Sequence, residues 1–481
     1  MIKRIIQTFI VLYVINSALV IYYWRDTQYD PLNIDFLLYF GILPLLICLF
    51  LLAPYFIYKA VNFYKKRQQE QKDRAHKSLQ AQQQELENKE ELDQAIEDYT
   101  LNIFSAAAWH SFGKNAEILQ HMKQFKSPEL DSEMLNRFGL PILTYRIHSV
   151  DRLLEENKTE TEEEILPKLQ EQRIQQLIQQ QLEQHEESLS LISEQLKHSA
   201  LFYDHELAYE YRMHPGWIQE NYCEDEENIA SNPTAASRLN RLNLHILLVD
   251  HMTGDWSDLY QEQLISQIQQ QYALLPTQIH IKFHFLSTDR AYSALLELLQ
   301  EISGQSHEIS LIIMADSEID QDYLDQQFWQ NEDYIAAEYT ASWCLSPHGL
   351  EVEGMMPSRI LTLSKYVTDL YEYLGQNQVD LSFQLKQAHP FLVLLDNTTQ
   401  PKTMKIIQKK IKNIDFEPEH TIYPQSYLGH TQYLAAVFAA MLSSHLYDNV
   451  ITISYSIQQE SSYLCFKNKE SDQLNEISLV A

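Results

Sequence analysis

The chain has 481 residues, which is long enough for a sizeable hydrophobic core and for more than one domain. Its 66 acidic residues outnumber 36 basic ones and give a formal net charge of −30. Because nucleic-acid binding needs a basic surface that displaces counterions from phosphates, this composition excludes a nucleic-acid partner.

Two apolar runs near the N-terminus predict a transmembrane helical hairpin within residues 1–66. Residues 5–24 and 36–58 are each long enough to cross a bilayer as a helix. Basic residues precede the first run and follow the second, which predicts that both termini and the main domain are cytoplasmic. A cleaved signal peptide is the alternative for the first run, but a small-residue cleavage site is missing.

A polar helical linker is predicted over residues 67–98, which are rich in Gln, Glu and Lys and contain no Gly or Pro. An α/β domain is predicted over residues 99–481, with a Gln/Glu-rich helical insertion at about 158–202. Two interpretations of the insertion stay open: a helix packed on the domain by its apolar stripe, or a helical binding site for a partner. The stripe consists of Ile174, Leu177, Ile178, Leu182, Leu189, Ile192 and Leu196.

Short apolar runs that alternate with helical patterns predict α/β layering in the second half of the chain. An Ala-rich apolar stretch at 429–446 is too short to span a bilayer and predicts a core helix. Two final runs, 450–456 and 462–467, predict a closing hairpin. The predicted buried strands are 242–249, 279–286, 310–314 and 391–395, with helices at 288–302 and 403–411.

Motifs for nucleotide or metal chemistry are missing, so no cofactor and no metal are predicted. The ten glycines form neither a dinucleotide-binding fingerprint nor a P-loop. His280 and His284 share one face of a predicted strand, but a third ligand at useful spacing is absent, which favours packing or an interface. Cys344 near His348 is a candidate for thiol chemistry, and a cysteine packed in the sheet is the alternative.

The other cysteines give no metal-binding or disulfide pattern. Cys48, Cys223 and Cys465 stand alone without CxxC spacing. Together with Cys344 they predict unpaired thiols in a reducing compartment.

Three segments in the last two hundred residues resemble the condensing-enzyme (β-ketoacyl synthase) branch of the thiolase-like fold. The sequence FLSTDRAYSAL from Phe285 is similar to the turn that carries the nucleophilic Cys of that family. FLVLLDNTTQP from Phe391 is similar to the strand that leads into H-G-T-G-T-P, and SYLGHT from Ser426 is similar to K-S-x-x-G-H-T. The resemblance implies a layered α/β/α domain over about half of the chain.

The departures from this family pattern imply a catalytically inactive scaffold. Condensation needs a thiolate as acyl acceptor and two imidazoles that stabilise developing negative charge. Arg290 stands where the family has its Cys, and Asp396 stands where it has the first His. Gln425 matches the family's Lys, so only His430 of the catalytic set remains. A lone His at this position can also simply brace its helix.

Together, the hairpin, the spacer and the degenerate body resemble adaptors of lipase effectors of type VI secretion, a bacterial family built around a domain of unknown function. This resemblance implies an inner-membrane protein that binds a protein partner, such as a secreted effector or a spike component, in the cytoplasm. Two alternatives stay open: an acyl-thioester-binding protein or enzyme with relocated thiol chemistry, and a self-associating membrane scaffold. The family's mode of pairing further implies that residues 279–286 can form a homodimer edge.

Overall fold

The computed structural model divides into the units Met1–Gln94 and Ala95–Ala481, and nearly all described residues belong to the second unit. Short helical stretches at 17–23 and 25–27 are the main described part of the first unit. The structure describes residues 17–23, 25–27, 40, 42, 95–156, 168–211 (side chains only to 199) and 238–468, apart from gaps at 255, 257, 329–330, 332, 377–383, 388, 397–402, 404, 406–408, 410–416, 432, 448–449 and 460.

The prediction of a transmembrane hairpin is wrong by this structure. A spanning helix needs about 20 apolar residues. Within the described residues, no helix is both long enough and apolar enough to cross a membrane. Most of residues 5–24 and 36–58 and the predicted linker up to residue 94 lie outside the described residues. The inner-membrane location stays a prediction.

A single mixed sheet organises the second unit, and helices cover both of its faces. The strands are β1 (Glu97–His110), β2 (Gly113–Lys114), β3 (Glu129–Leu135), β4 (Pro141–Tyr145), β5 (Arg241–Val249), β6 (Ile279–Leu286), β7 (Glu308–Ser317), β8 (Ala336–Pro347), β9 (Arg359–Lys365), β10 (Leu392–Leu394), β11 (Thr421–Ile422), β12 (Thr452–Tyr455) and β13 (Tyr463–Lys467). The helices are α1 (Ala116–Lys123), α2 (His148–Glu156), α3 (Leu169–Gln184), α4 (Glu186–Tyr211), α5 (Asp258–Tyr272), α6 (Ala291–Ser303), α7 (Gln321–Phe328), α8 (Leu370–Gln376) and α9 (Ala435–Leu442).

The sheet consists of two halves that share one topology. The strand order is β6-β5-β7-β8-β1 in one half and β11-β10-β12-β13-β9 in the other. In each half the first three strands run parallel to one another and the fourth is antiparallel to both of its neighbours. Antiparallel pairing of β1 with β9 joins the halves. The chain therefore repeats one five-stranded unit.

Strand β8 shows why the fold has three layers, because both of its faces are buried. Trp343 Nε1 donates to the main-chain oxygen of Met441 in α9 at 3.2 Å. On the opposite face, Ser342 Oγ donates to Gln181 Oε1 of α3 at 2.5 Å. Side chains alternate between the faces of a strand, so helices on both sides of β8 produce the predicted α/β/α arrangement.

The Gln/Glu-rich insertion is packed on the sheet by its apolar stripe. All seven stripe residues are buried, which agrees with the packed-helix interpretation. The predicted single helix is interrupted at His185, between α3 and α4. The buried His185 ring contacts Ser105 Oγ through Nδ1 at 2.7 Å and Ser342 Oγ through Nε2 at 2.6 Å. Through these two contacts, the residue between α3 and α4 is hydrogen-bonded to β1 and β8.

Candidate functional site

Arg290, at the position matched to the nucleophile, lies at the surface in the turn from β6 into α6. Its main-chain N–H donates to Ser287 O at 3.0 Å, and its carbonyl accepts from Ala294 N at 2.8 Å. The Arg290 side chain is exposed and makes no capping hydrogen bond to the helix. This turn therefore presents a cation to solvent where the resemblance implies a reactive thiol.

Asp396, the residue matched to the first imidazole, follows β10 and is half-buried. Its carboxylate accepts hydrogen bonds from Ser456 Oγ at 3.0 Å and from Ile457 N at 2.7 Å. Burial raises the pKa of Asp396, while these hydrogen bonds oppose the shift. Burial is the main cause that raises the pKa of Tyr292, in the first turn of α6, and the charge of Asp396 adds to it.

His430 braces a loop. The ring Nδ1 of His430 accepts a hydrogen bond from the main-chain N–H of Ile335 at 2.9 Å. The main-chain N–H of His430 donates to the main-chain oxygen of Ile335 at 2.9 Å. The ring also stacks on Tyr334, with centroids 5.2 Å apart. Because Nδ1 accepts this hydrogen bond, it carries no hydrogen, and the ring N–H of His430 is therefore on Nε2. Its bracing role is the interpretation that these contacts favour.

The residues on either side of His430 fix the same segment. Gly429 has φ +61°, and a Cβ at this position would lie 2.3 Å from Ile335 O, so only glycine fits. Thr431 Oγ1 donates to Glu318 Oε2 at 2.6 Å. The early glycine also delays the helix, so α9 begins at Ala435 rather than at the predicted residue 429.

Gln425, matched to the family's Lys, is half-buried in the short helical turn Pro424–Tyr427. Its carbonyl accepts the N–H of Leu428 at 3.2 Å. Among the described residues, no hydrogen bond joins any two of Arg290, Asp396, Gln425 and His430. Helix α9 contacts α6, β10 and the Pro424–Tyr427 turn, so these elements pack together, but they form no hydrogen-bonded catalytic set in the described structure.

A buried pair of acids near the Gly429–Thr431 segment could not be identified from the sequence. Asp316 and Glu318 are both almost completely buried at the end of β7. Asp316 Oδ2 accepts from Tyr339 OH at 3.3 Å, and Glu318 Oε1 accepts from Tyr334 OH at 2.7 Å. Burial and their mutual charge raise the pKa of Asp316, and burial raises the pKa of Glu318 from 4.5 to about 7.

Cys344 is a poor candidate for relocated thiol chemistry. The residue is buried in β8, and burial raises its thiol pKa to about 12, so a negligible fraction is thiolate at neutral pH. His348 Nδ1 contacts Asn102 Oδ1 at 3.1 Å, and Asn102 Nδ2 donates to the main-chain oxygen of His348. These contacts agree with the alternative of a cysteine packed in the sheet.

Of the two histidines of β6, His284 packs against the neighbouring strand, whereas His280 is exposed. His284 Nε2 lies 3.1 Å from Nδ1 of His245 in the neighbouring strand β5. Within the described part of the chain, no group of three or more potential metal ligands converges. The packing interpretation of His284 therefore agrees with the structure.

Removing the imidazole of His430 tests its bracing role. We expect His430→Leu to lower the free energy of unfolding by about 1–3 kcal/mol, because the Ile335 N–H loses its acceptor. Chemical denaturation of the full chain would measure this change. His430→Asn, whose amide oxygen can replace Nδ1, should recover part of it. Equal stability of His430→Leu and the original protein would contradict the bracing role.

No protein-family model and no curated protein sequence matches this chain. Solved ketosynthases are similar to it in fold. One is the AntDE:AntF complex of a type II PKS acyl-carrier protein with its ketosynthase bound to the hexaketide, at 12% identity and a TM-score of 0.36, covering 77% of this chain and 99% of that one. Another is the ishigamide ketosynthase/chain length factor, at 10% identity and TM-score 0.39, with 76% and 98% covered.

A ketosynthase from module 6 of the bacillaene synthase of Bacillus subtilis 168 is a third similar structure. Its identity is 7%, its TM-score 0.43, and the match covers 77% of this chain and 72% of that chain. These values describe only a distant likeness, with every TM-score below 0.5. They carry no information about activity.

Proposed function

We propose that this protein is a thiolase-like scaffold that does not condense acyl thioesters and instead binds a protein partner. The observation that carries the proposal is the exposed Arg290 at the turn into α6. A guanidinium stays protonated at accessible pH and cannot form an acyl-enzyme. Asp396 supports the same conclusion, because an ionised carboxylate opposes the build-up of negative charge that two imidazoles would stabilise.

An exposed apolar surface on the β3–β4 hairpin supports protein binding. Leu130 and Leu143 face each other across the two strands and are 67% and 44% exposed. Phe138 in the connecting loop is 69% exposed, and the adjacent Leu140 is 59% exposed. Exposed apolar side chains grouped on one hairpin are a feature of protein-interaction sites. We call Leu130, Phe138, Leu140 and Leu143 the hairpin patch.

The partner that we propose is a secreted lipase effector, which the hairpin patch would hold for delivery to a type VI secretion spike. This choice follows from the resemblance to the lipase-adaptor family. An apolar patch suits such a partner, because burial of leucine and phenylalanine side chains stabilises a complex by about 25 cal/mol per Å² of apolar surface.

Affinity capture with the full chain tests the partner and the surface together. We expect a lipase effector or spike component to bind the original protein. Its recovered amount should be tenfold or more lower with the double variant Leu130→Asp/Phe138→Asp. Leu259→Asp is the matched control, because Leu259 is 58% exposed on α5. Quantitative mass spectrometry of the bound fraction would measure the loss.

Three results of that comparison would count against parts of the proposal. Equal recovery on the double variant and the control would exclude the hairpin patch. Recovery of the protein alone would favour pairing of two copies through β6, which lies at an edge of the sheet with β5 as its neighbour. Carbon–carbon bond formation from acyl thioesters by the purified chain would overturn the non-condensing scaffold.

A further inference from the structure

A cavity of about 780 Å³ lies among β1, α1, the start of β9 and the segment after α9, and neither Arg290 nor Asp396 lines it. This volume is within the range of small-molecule sites in proteins. Its lining is Phe104, Ser105, Ala106, Ala116, Leu119, Gln120, Lys123, Ser358, Arg359, Ser444, His445, Leu446 and Tyr447.

The charge of this lining is opposite to that of the whole chain. The protein has a formal net charge of −30, yet the lining contains Lys123 and Arg359 and no aspartate or glutamate. A concave surface of one sign concentrates ligands of the other sign, because its low-dielectric walls focus the field. The cavity therefore favours an anion.

Lys123 provides the more accessible of the two cations. Its Nζ donates to Tyr447 OH at 3.2 Å and lies 4.6 Å from the centroid of that ring. Within the described part of the chain, no carboxylate lies within ion-pair distance of Lys123. Its ammonium group is held in place by neutral contacts and has two further protons for an acceptor.

Arg359 and His445 also line the cavity. The Arg359 side chain is buried, and its Nη2 donates to the main-chain oxygen of Leu446. Burial and the Arg359 charge lower the pKa of His445 to about 4, so its ring is neutral at pH 7. His445 Nε2 is a buried atom without a hydrogen-bond partner in the described structure.

The remaining wall is apolar. Phe104, Leu119 and Leu446 are all buried side chains that border the cavity. An alkyl group placed against them would gain roughly 0.8 kcal/mol for each CH₂ that it removes from water. The cavity thus offers cationic side chains to a polar head group and apolar side chains to an alkyl chain of the same ligand.

We propose that this cavity binds a small amphiphilic anion, with a carboxylate or phosphate head against Lys123 and Arg359 and a short alkyl body against Phe104, Leu119 and Leu446. The site is separate from the residues matched to the condensing centre. It does not depend on the adaptor role.

Calorimetric titration of the full chain with octanoate, octyl phosphate and octanol tests the proposal. We expect at least one of the two anions to bind, and octanol to bind tenfold or more weakly. Lys123→Gln should weaken binding of that anion by about tenfold, since a hydrogen bond to a charged group is lost. Lys114→Gln is the matched control, because exposed Lys114 also lies over an aromatic ring, that of Trp109, but outside the cavity.

The comparison of the two anions identifies the head group that the cavity prefers. Binding of neither anion at millimolar concentration would overturn the proposal. Equal binding of octanol would also overturn it, because the head group would then be irrelevant. An unchanged affinity in Lys123→Gln, with the melting temperature of the unliganded variant preserved, would place any binding elsewhere.

Discussion

Replacing Arg173 with methionine is expected to lower the free energy of unfolding by about 3–5 kcal/mol, because it leaves a buried carboxylate without its counter-charge. Arg173 and Glu338 are both completely buried, on α3 and β8. Arg173 Nε donates to Glu338 Oε2 at 2.8 Å, and Nη2 donates to Oε1 at 2.6 Å. Arg173 Nη1 also donates to Asp151 of α2. One side chain thus connects the Gln/Glu-rich insertion to the sheet.

Urea unfolding of the full chain would measure the effect. Arg152→Met is the matched control, because Arg152 is exposed on α2, and we expect it to change stability by less than about 0.5 kcal/mol. The double variant Arg173→Met/Glu338→Leu should be more stable than Arg173→Met, since it also removes the unpaired carboxylate. A loss for Arg173→Met no larger than that of the control would show that the ion pair contributes nothing to stability.

The sequence predicted the parts of the fold that follow periodicity. The apolar runs around β5, β6, β7 and β10 correspond to observed strands, and the closing hairpin is the antiparallel pair β12–β13. Strands β5, β7 and β10 are recognisable because strands buried on both faces are almost continuously apolar, whereas the edge strand β6 alternates apolar and polar residues. The stripe of the insertion was recognisable for the equivalent reason in helices.

Strand β8 escaped prediction because its composition is mixed. The segment AAEYTASWCLSP is buried throughout, yet it contains Glu338, Thr340 and Ser342. Its polar face lies against α3, where Arg173 and Gln181 supply charges and hydrogen bonds. A buried polar face does not show the apolar pattern that identifies a buried strand. Its hydrogen-bond partners lie on α3, more than a hundred residues away in the sequence, so the burial of this face could not be predicted locally.

For the candidate site, the sequence indicated which chain segments are involved but not the contacts that its residues make. The resemblance placed the turn at Arg290, the end of β10 and the Gly429–Thr431 segment in one region, and helix α9 does contact both α6 and β10. The contacts of His430 with the Ile335 backbone depend on a long-range approach that no local pattern encodes. Asp316 and Glu318 are two of 66 acidic residues, and nothing in the sequence indicates that both are buried.

The buried acids Asp316 and Glu318 should make the protein less stable as the pH rises through neutrality. Burial is the largest cause that raises the pKa of Glu318 from 4.5 to about 7, while hydrogen bonds from Thr431, Tyr334 and Tyr323 partly oppose it. The folded state therefore binds this proton more tightly than the unfolded state does.

The direction of the effect follows from proton linkage. The stabilisation from the protonated Glu318 is fully present below about pH 4.5, the ordinary value that the unfolded chain has, and it is lost as the pH rises through about 7. A shift of this size corresponds to about 3 kcal/mol between the two limits. Asp316 changes stability in the same direction, because burial and the charge of Glu318 raise its pKa as well.

Comparison of Glu318→Gln with the original protein isolates this contribution. Urea unfolding at pH 5 and pH 8 should show that the original chain loses about 2.5 kcal/mol more than the variant does over this interval, since glutamine cannot ionise. Glu301→Gln, a change at an exposed position of α6, should retain the original pH dependence. If Glu318→Gln retained it too, Glu318 would be ionised in the folded protein across the whole range. The hydrogen bonds from Thr431 and Tyr334 would then outweigh the burial of its charge.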